Sequence, residues 1–279
     1  MQMATRITQH APRRIHGVDF SGGANAGRKI WIASGCVENG VLRIGECRRA
    51  QDLPGSGADR DRALAALRAF IAAQPDSALG LDFPFSLPRA LLGEDGWPGF
   101  VESFPERFPT PESFLAACRA ASGGRELKRV TDLECRTPFS PYNLRLYRQT
   151  YYGLRDVLGP LARRRRVYAL PMQPARPGRP WLLEICPAST LKRANLYGAY
   201  KGLTPRQRSM RARILDWLRA ECGVSLAPAV ARSAILADAD GDALDSLIAA
   251  WATFRAAREV DHRSLGKDGV YALEGYVYA

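Results

Sequence analysis

Residues 15–20 (IHGVDF) and 28–35 (RKIWIASG) carry short apolar runs with the two-residue alternation of strands, and 41–50 (VLRIGECRRA) repeats it. Asn39–Gly40, between the second and third runs, is a hairpin turn signal, so these three segments predict an antiparallel meander. The period then changes. In 60–73 (RDRALAALRAFIAA), Leu64, Leu67, Phe70 and Ile71 share one helical face. ALGLDFPFSLP (78–88) predicts a buried strand stopped by Pro84, and PWLLEICPAST (180–190) a second one, again ended by proline. Between them, 89–180 is rich in proline, aromatic residues and arginine, with helices expected at 111–121 and 141–162. Residues 204–222 predict an amphipathic helix carrying Ile214, Leu215, Trp217 and Leu218, and 240–258 predicts the strongest helix of the chain. The closing VYALEGYVYA fits a small strand or clasp.

Three antiparallel strands followed by helix-linked parallel strands make an α/β chain that resembles the ribonuclease H-like arrangement. The expected mixed sheet has the order 3-2-1-4-5, with flanking helices and a large, mostly helical insertion at about 89–180. The expected organisation is a loose, basic tail over 1–14 and one domain over 15–279.

Composition narrows the function classes. Hydrophobic residues make up 46% of the 279 and charged residues 24%, as in soluble globular proteins. No apolar run approaches the ~20 residues of a membrane span, and the N-terminus lacks the apolar segment of a secretory signal. The six cysteines are scattered, without a C-x-x-C pair or clustered histidines, which predicts free thiols in a reducing cytoplasm rather than a zinc site. Only His10, His16 and His262 are available for a histidine-based site. Lys and Arg total 40 against 28 Asp and Glu, a net charge of +12 that favours polyanionic partners, nucleic acid first. The bland alternative is a compositional bias toward arginine.

The candidate chemistry lies in the acids. Asp19 ends the first strand and Asp82 the fourth, each after an apolar-Gly-apolar stretch (HGVD, LGLD). On paired strands, matching ends bring the two carboxylates within roughly one inter-strand spacing, ~5 Å. Two close, buried carboxylates repel unless a cation lies between them, and a hard cation such as Mg²⁺ takes oxygen ligands. Asp238, Asp242 and Asp245 fall on one helical stripe beside the apolar face of the last long helix. Caps and strand-end turns are the structural alternative, above all for Asp238 and Asp240, with Asp242 or Asp245 left for metal. Glu184 ends the 180–190 strand as a fourth ligand, a supporting group, or a partner for a basic residue of the insertion.

Together GVDFSG, LGLDFPFSLP, LEICPAST, DALDSLIAAWA and LEGYVYA resemble the family catalogued as domain of unknown function 429, described as predicted nucleases with a ribonuclease H-like fold. The D-x-x-D pattern at Asp242 and Asp245 is also similar to that of Holliday-junction resolvases. The resemblance implies that Asp19, Asp82, Glu184, Asp242 and Asp245 are catalytic. Of these, Asp19, Asp82, Asp242 and Asp245 would hold Mg²⁺ or Mn²⁺ as two ions ~4 Å apart that activate a water. The expected activity is hydrolysis of phosphodiester bonds in DNA or RNA. Ser21 and the Gly22–Gly23 backbone would meet phosphate, and Arg145, Arg148, Tyr151, Arg163, Arg164 and Lys192 would contact the nucleic acid. The run 143–155 reads equally well as a helix with Leu144, Tyr147, Tyr151 and Leu154 buried. Two other classes fit less of the pattern: a phosphotransfer ATPase of the sugar-kinase and actin type, and a nucleic-acid binder without chemistry.

Overall fold

A computed structural model describes residues 11–279. The expected tail therefore lies outside the described residues up to residue 10, and its last residue, Arg14, already belongs to the first strand. Eight strands form one mixed sheet: β1 (Arg14–Asp19), β2 (Trp31–Glu38), β3 (Val41–Arg49), β4 (Ser77–Leu81), β5 (Tyr168–Ala169), β6 (Trp181–Ile185), β7 (Ser225–Leu226) and β8 (Val277–Tyr278). Its order is β5-β6-β4-β1-β2-β3-β7, with β8 also on β6. This differs from a five-strand sheet because β5, β7 and β8 are captured along the edges of β6 and β3. Each has two residues, too few to show an alternation in sequence. β1–β2 and β2–β3 are antiparallel, and every other pairing is parallel.

Helices cover both faces. Arg60–Ala72 and the segment between β4 and β5 pack on one face, in a core that includes Val18, Leu79, Leu81, Phe83 and Leu182. Helices Pro205–Ala220 and Asp242–Glu259 pack on the other, in a core that includes Ile15, Ala78, Leu183 and Ile185. Several boundaries differ from the sequence reading. Arg28 and Lys29 close a short helix, Ala26–Lys29, rather than opening β2. Pro187 ends β6 but also starts helix Pro187–Arg193, because its missing N–H is not needed in a first helical turn. Gly96–Arg107 is a helix that buries Trp97, Phe100, Val101 and Phe104, its periodicity broken up in sequence by two prolines and two further glycines.

The expected helix over 141–162 starts at Tyr147 and widens into a π-helical turn over Gly153–Leu158. Pro160 follows and has no N–H for the carbonyl four residues back. That carbonyl, on Asp156, accepts instead from Arg68 Nη1 at 2.5 Å.

The register of β1 on β4 sets the site. Gly17 pairs with Gly80 and Val18 with Leu81, so Asp19 and Asp82 follow at the same level, and Asp82 N donates to Val18 O at 3.1 Å. The two glycines let helix Asp242–Glu259 approach the sheet. A Cβ on Gly17 would lie 2.1 Å from Ala250 N and 2.2 Å from Ser246 O. One on Gly80 would lie 2.0 Å from Thr253 Oγ1. At Gly17 no side chain fits unless the helix retreats, and at Gly80 the Thr253 and Ile185 side chains would have to shift. Gly17→Ala and Gly80→Ala are therefore expected to destabilise by about 3 kcal/mol or more each, the upper end of overpacking costs. Thermal melts read this as a fall in Tm of roughly 6 to 12 °C.

Candidate active site

Side chains alternate along a strand, so Asp19, two residues beyond Gly17, and Asp82, two beyond Gly80, face the Asp242–Glu259 helix. That helix starts at Asp242 after Gly241, and Asp238 Oδ2 accepts from Ala243 N at 2.9 Å. Asp238 is thus a cap before the helix rather than a member of its stripe. Asp240 forms an exposed ion pair with Lys29 on the lining of the same cleft. Asp242 and Asp245 remain, one turn apart, beside the sheet. Asp19 and Asp245 are buried, Asp242 is half-buried, and Asp82 keeps part of its surface open to solvent.

Asp19, Asp82 and Asp242 line an open cleft of about 450 Å³ together with Ser21, Gln149 and Lys201. Lys201 is the central cation. Its ammonium lies 2.7 Å from Asp245 Oδ2 and 3.5 Å from Asp242 Oδ1, and Tyr200 donates to Asp245 Oδ1 at 2.7 Å. Neither residue stands out in the sequence, where 192–202 (KRANLYGAYKG) is one more positively charged stretch. No pattern distinguishes Lys201 from the other cations of that segment.

The cluster carries more carboxylate than one lysine balances. Burial first, and then Asp245 and Asp242, push Asp19 well above the usual carboxylate range, against the pull of Lys201. Asp82 is pushed up to about 8 by burial and Asp245, again against Lys201. Asp242 rises to about 6, chiefly by burial. Burial works against the Lys201 ammonium, but Asp245, Asp19 and Asp242 outweigh it and raise its proton affinity.

Carboxylate oxygens are the donor type that Mg²⁺ and Mn²⁺ take, so Asp19, Asp82, Asp242 and Asp245 fit such an ion by chemistry. Among the described residues, no three His, Cys, Asp or Glu side chains are already spaced as a metal cage. Lys201 ties Asp242 to Asp245 instead.

Glu184 does not share this face. It pairs in register with Leu81, not Asp82, and alternates with Leu182 toward the insertion. There it accepts from Arg129 Nη1 at 2.7 Å, from Arg129 Nη2, and from Phe85 N at 2.8 Å. Asp132 accepts from the same guanidinium at 2.8 Å. All three side chains are buried, so Glu184 anchors the insertion to β6. Glu274 completes this clasp, accepting from Arg89 N and Val130 N.

The proposed contact residues separate into two groups. Ser21 lines the acidic cleft and Arg145 an adjoining cavity. The others are engaged elsewhere. Tyr151 is fully buried and donates to Phe108 O and Pro109 O, so its ring is core. Arg148 pairs with Glu112 at 3.0 Å, and Arg163 donates to Val101 O at 3.0 Å. Arg164 is exposed and lines neither cavity. Lys192 donates to Arg136 O at 2.6 Å. Gly22 is not open room for phosphate, since a Cβ there would lie 2.5 Å from Arg148 O of the insertion, whereas Gly23 is exposed.

Removing Arg129 leaves two buried carboxylates unpaired, and Arg129→Met is expected to destabilise by about 3 to 5 kcal/mol in chemical denaturation. The acidic cluster predicts a second behaviour. In the folded chain Asp242 and Asp82 hold protons up to about pH 6 and 8, whereas in the unfolded chain they release them near 3.8. Folding stability in EDTA should therefore fall as pH rises from about 4 to 8, lowering Tm by roughly 5 °C or more. Asp82→Asn should flatten that slope. Comparison of the chain with family models, with curated proteins and with solved structures finds no match in any of the three.

Proposed function

We propose that this chain is a metal-dependent nuclease of ribonuclease H-like fold, hydrolysing phosphodiester bonds with Asp19, Asp82, Asp242 and Asp245 as the ligands of Mg²⁺ or Mn²⁺. The observation that carries the reading is the gathering of four acids from three distant segments at one end of the sheet, where burial and then mutual repulsion raise the proton affinities of Asp19, Asp82 and Asp242. A cluster that costs stability, in a cleft and not in a packed core, is the pattern of a functional site. The path β3-β2-β1-β4-β6, antiparallel at its first two pairings and parallel after, supports the fold. So does the resemblance of the five motifs. The net charge of +12 supports a polyanionic substrate.

Bound at these oxygens, a divalent cation supplies Lewis acidity toward a phosphoryl oxygen and a lowered pKa for water. The chain's own part is electrostatic. Deprotonation of Asp82 and Asp242 makes the donor set available, so metal affinity rises with pH through about 6 to 8. Lys201, released from Asp242 and Asp245, carries its charge to the phosphate. Tyr200 holds Asp245 in place. The closing-off of Gly22 weighs against a phosphate-cradling loop and so against the ATPase reading.

The test is incubation with labelled single-stranded, duplex, hybrid and branched substrates in Mg²⁺ or Mn²⁺. Asp19→Asn and Asp82→Asn should each lower cleavage by roughly a thousandfold or more, while Arg164→Ala stays within about twofold. Cleavage unaltered by both asparagine variants would overturn the assignment. Lys201→Met separates the roles further: Mn²⁺ binding by calorimetry should tighten while turnover drops roughly a hundredfold.

A further inference from the structure

A second cavity, of about 400 Å³, adjoins the acidic cleft and shares Asp82, Gln149 and Lys201 with it. Its walls differ in character. Phe83, Phe139, Leu146 and Tyr197 give it aromatic and apolar wall, beside charged groups that include Arg145, Lys201 and Asp245, and a chamber of this size with aromatic walls is suited to a flat organic ligand. Phe139 is half-buried and Tyr197 exposed, so both rings present surface that the fold leaves unpacked. A cation stands by each: Arg145 Cζ is 5.7 Å from the Phe139 ring centroid and Lys192 Nζ 4.9 Å from that of Tyr197.

Arg129, Glu184 and Asp132 also line the cavity, and their buried ion-pair network fixes this wall against collapse. The Gln149 amide donates to Asp82 O, so one residue of the cavity is tied to the strand end that carries an acid of the cluster.

We infer that this cavity receives one unstacked nucleobase of the substrate strand, the phosphate next to it lying at the carboxylates. The inference rests on the nuclease reading for the phosphate and on the cavity itself for the base. An aromatic chamber that shares Asp82 and Lys201 with the acidic cleft matches a nucleotide in chemistry. Arg145 and Lys201 supply positive charge for the flanking phosphates. A base inside an intact duplex cannot reach an enclosed wall without leaving its stack. The substrate class is therefore single-stranded or locally unpaired nucleic acid.

The test is fluorescence anisotropy in Ca²⁺, a cation that takes oxygen ligands and so offsets the carboxylates, using the full chain with labelled (dT)12 and an abasic strand of the same length. The wild type should bind (dT)12 roughly tenfold or more tighter than the abasic strand, as base stacking on aromatic rings requires. In Phe139→Ala/Tyr197→Ala that gap should close while affinity for the abasic strand stays unchanged, a result that unfolding cannot mimic. Equal binding of the two strands by the wild type, no binding of (dT)12, or a gap that survives the double variant overturns the inference. So does displacement of (dT)12 by micromolar AMP, which would make the cavity a mononucleotide site. Cleavage in Mn²⁺ without a binding gap rejects the base site alone. A gap without cleavage retains the base site and rejects the nuclease chemistry.

Discussion

The contact between Gly17, Gly80 and helix Asp242–Glu259 is the constraint on which the rest depends. Two glycines at one register position of adjacent strands leave no side chain between sheet and helix, and Ala250, Ser246 and Thr253 occupy the space. The same alternation that turns these glycines toward the helix turns Asp19 and Asp82 toward it two residues later. Close packing and the meeting of the acids are therefore one event. A larger residue at Gly17 would move the helix and with it Asp242 and Asp245.

That geometry forces an electrostatic imbalance which the fold offsets only in part. Lys201 reaches two of the four carboxylates and Tyr200 supports one of those two. Asp19 and Asp82 are left with raised proton affinity. Elsewhere the chain treats buried acids differently. Glu184 and Asp132 share one guanidinium and backbone donors, and Glu274 has two backbone N–H groups. Glu184, Asp132 and Glu274 are held by donors of the fold, and the proposed function draws on the other set, Asp19, Asp82, Asp242 and Asp245.

The insertion between β4 and β6 is part of the site's construction rather than an ornament on it. Its helix from Tyr147 closes Gly22 off and brings Gln149 to Asp82, and Arg145 and Leu146 just before that helix line the second cavity. Its arginines serve mostly as structure: Arg129 ties it to β6, Arg163 to Val101, and Arg148 to Glu112. Much of the chain's positive charge is thus spent on carbonyls and carboxylates of the fold.

The long elements and the acids at their ends are legible in the amino-acid order alone. Local periodicity marks β1, β3, β4, β6 and the helices from Arg60, Pro205 and Asp242, because a buried face leaves its repeat in the residues. It also placed Asp19 with Asp82, since two HGVD-like stretches on neighbouring strands align their ends. Only the tertiary structure decided which acids share a face. Glu184 looks like Asp82 at a strand end, yet the register sets it opposite Leu81, and the two-residue period turns it to the other side. Tyr151 and Arg148 have side chains fit for nucleic acid, but burial and pairing, which depend on distant segments, engage them elsewhere. Lys201 lies on a loop without period, and what gives it a role is contact with a helix forty residues further along the chain, a relation no local pattern encodes.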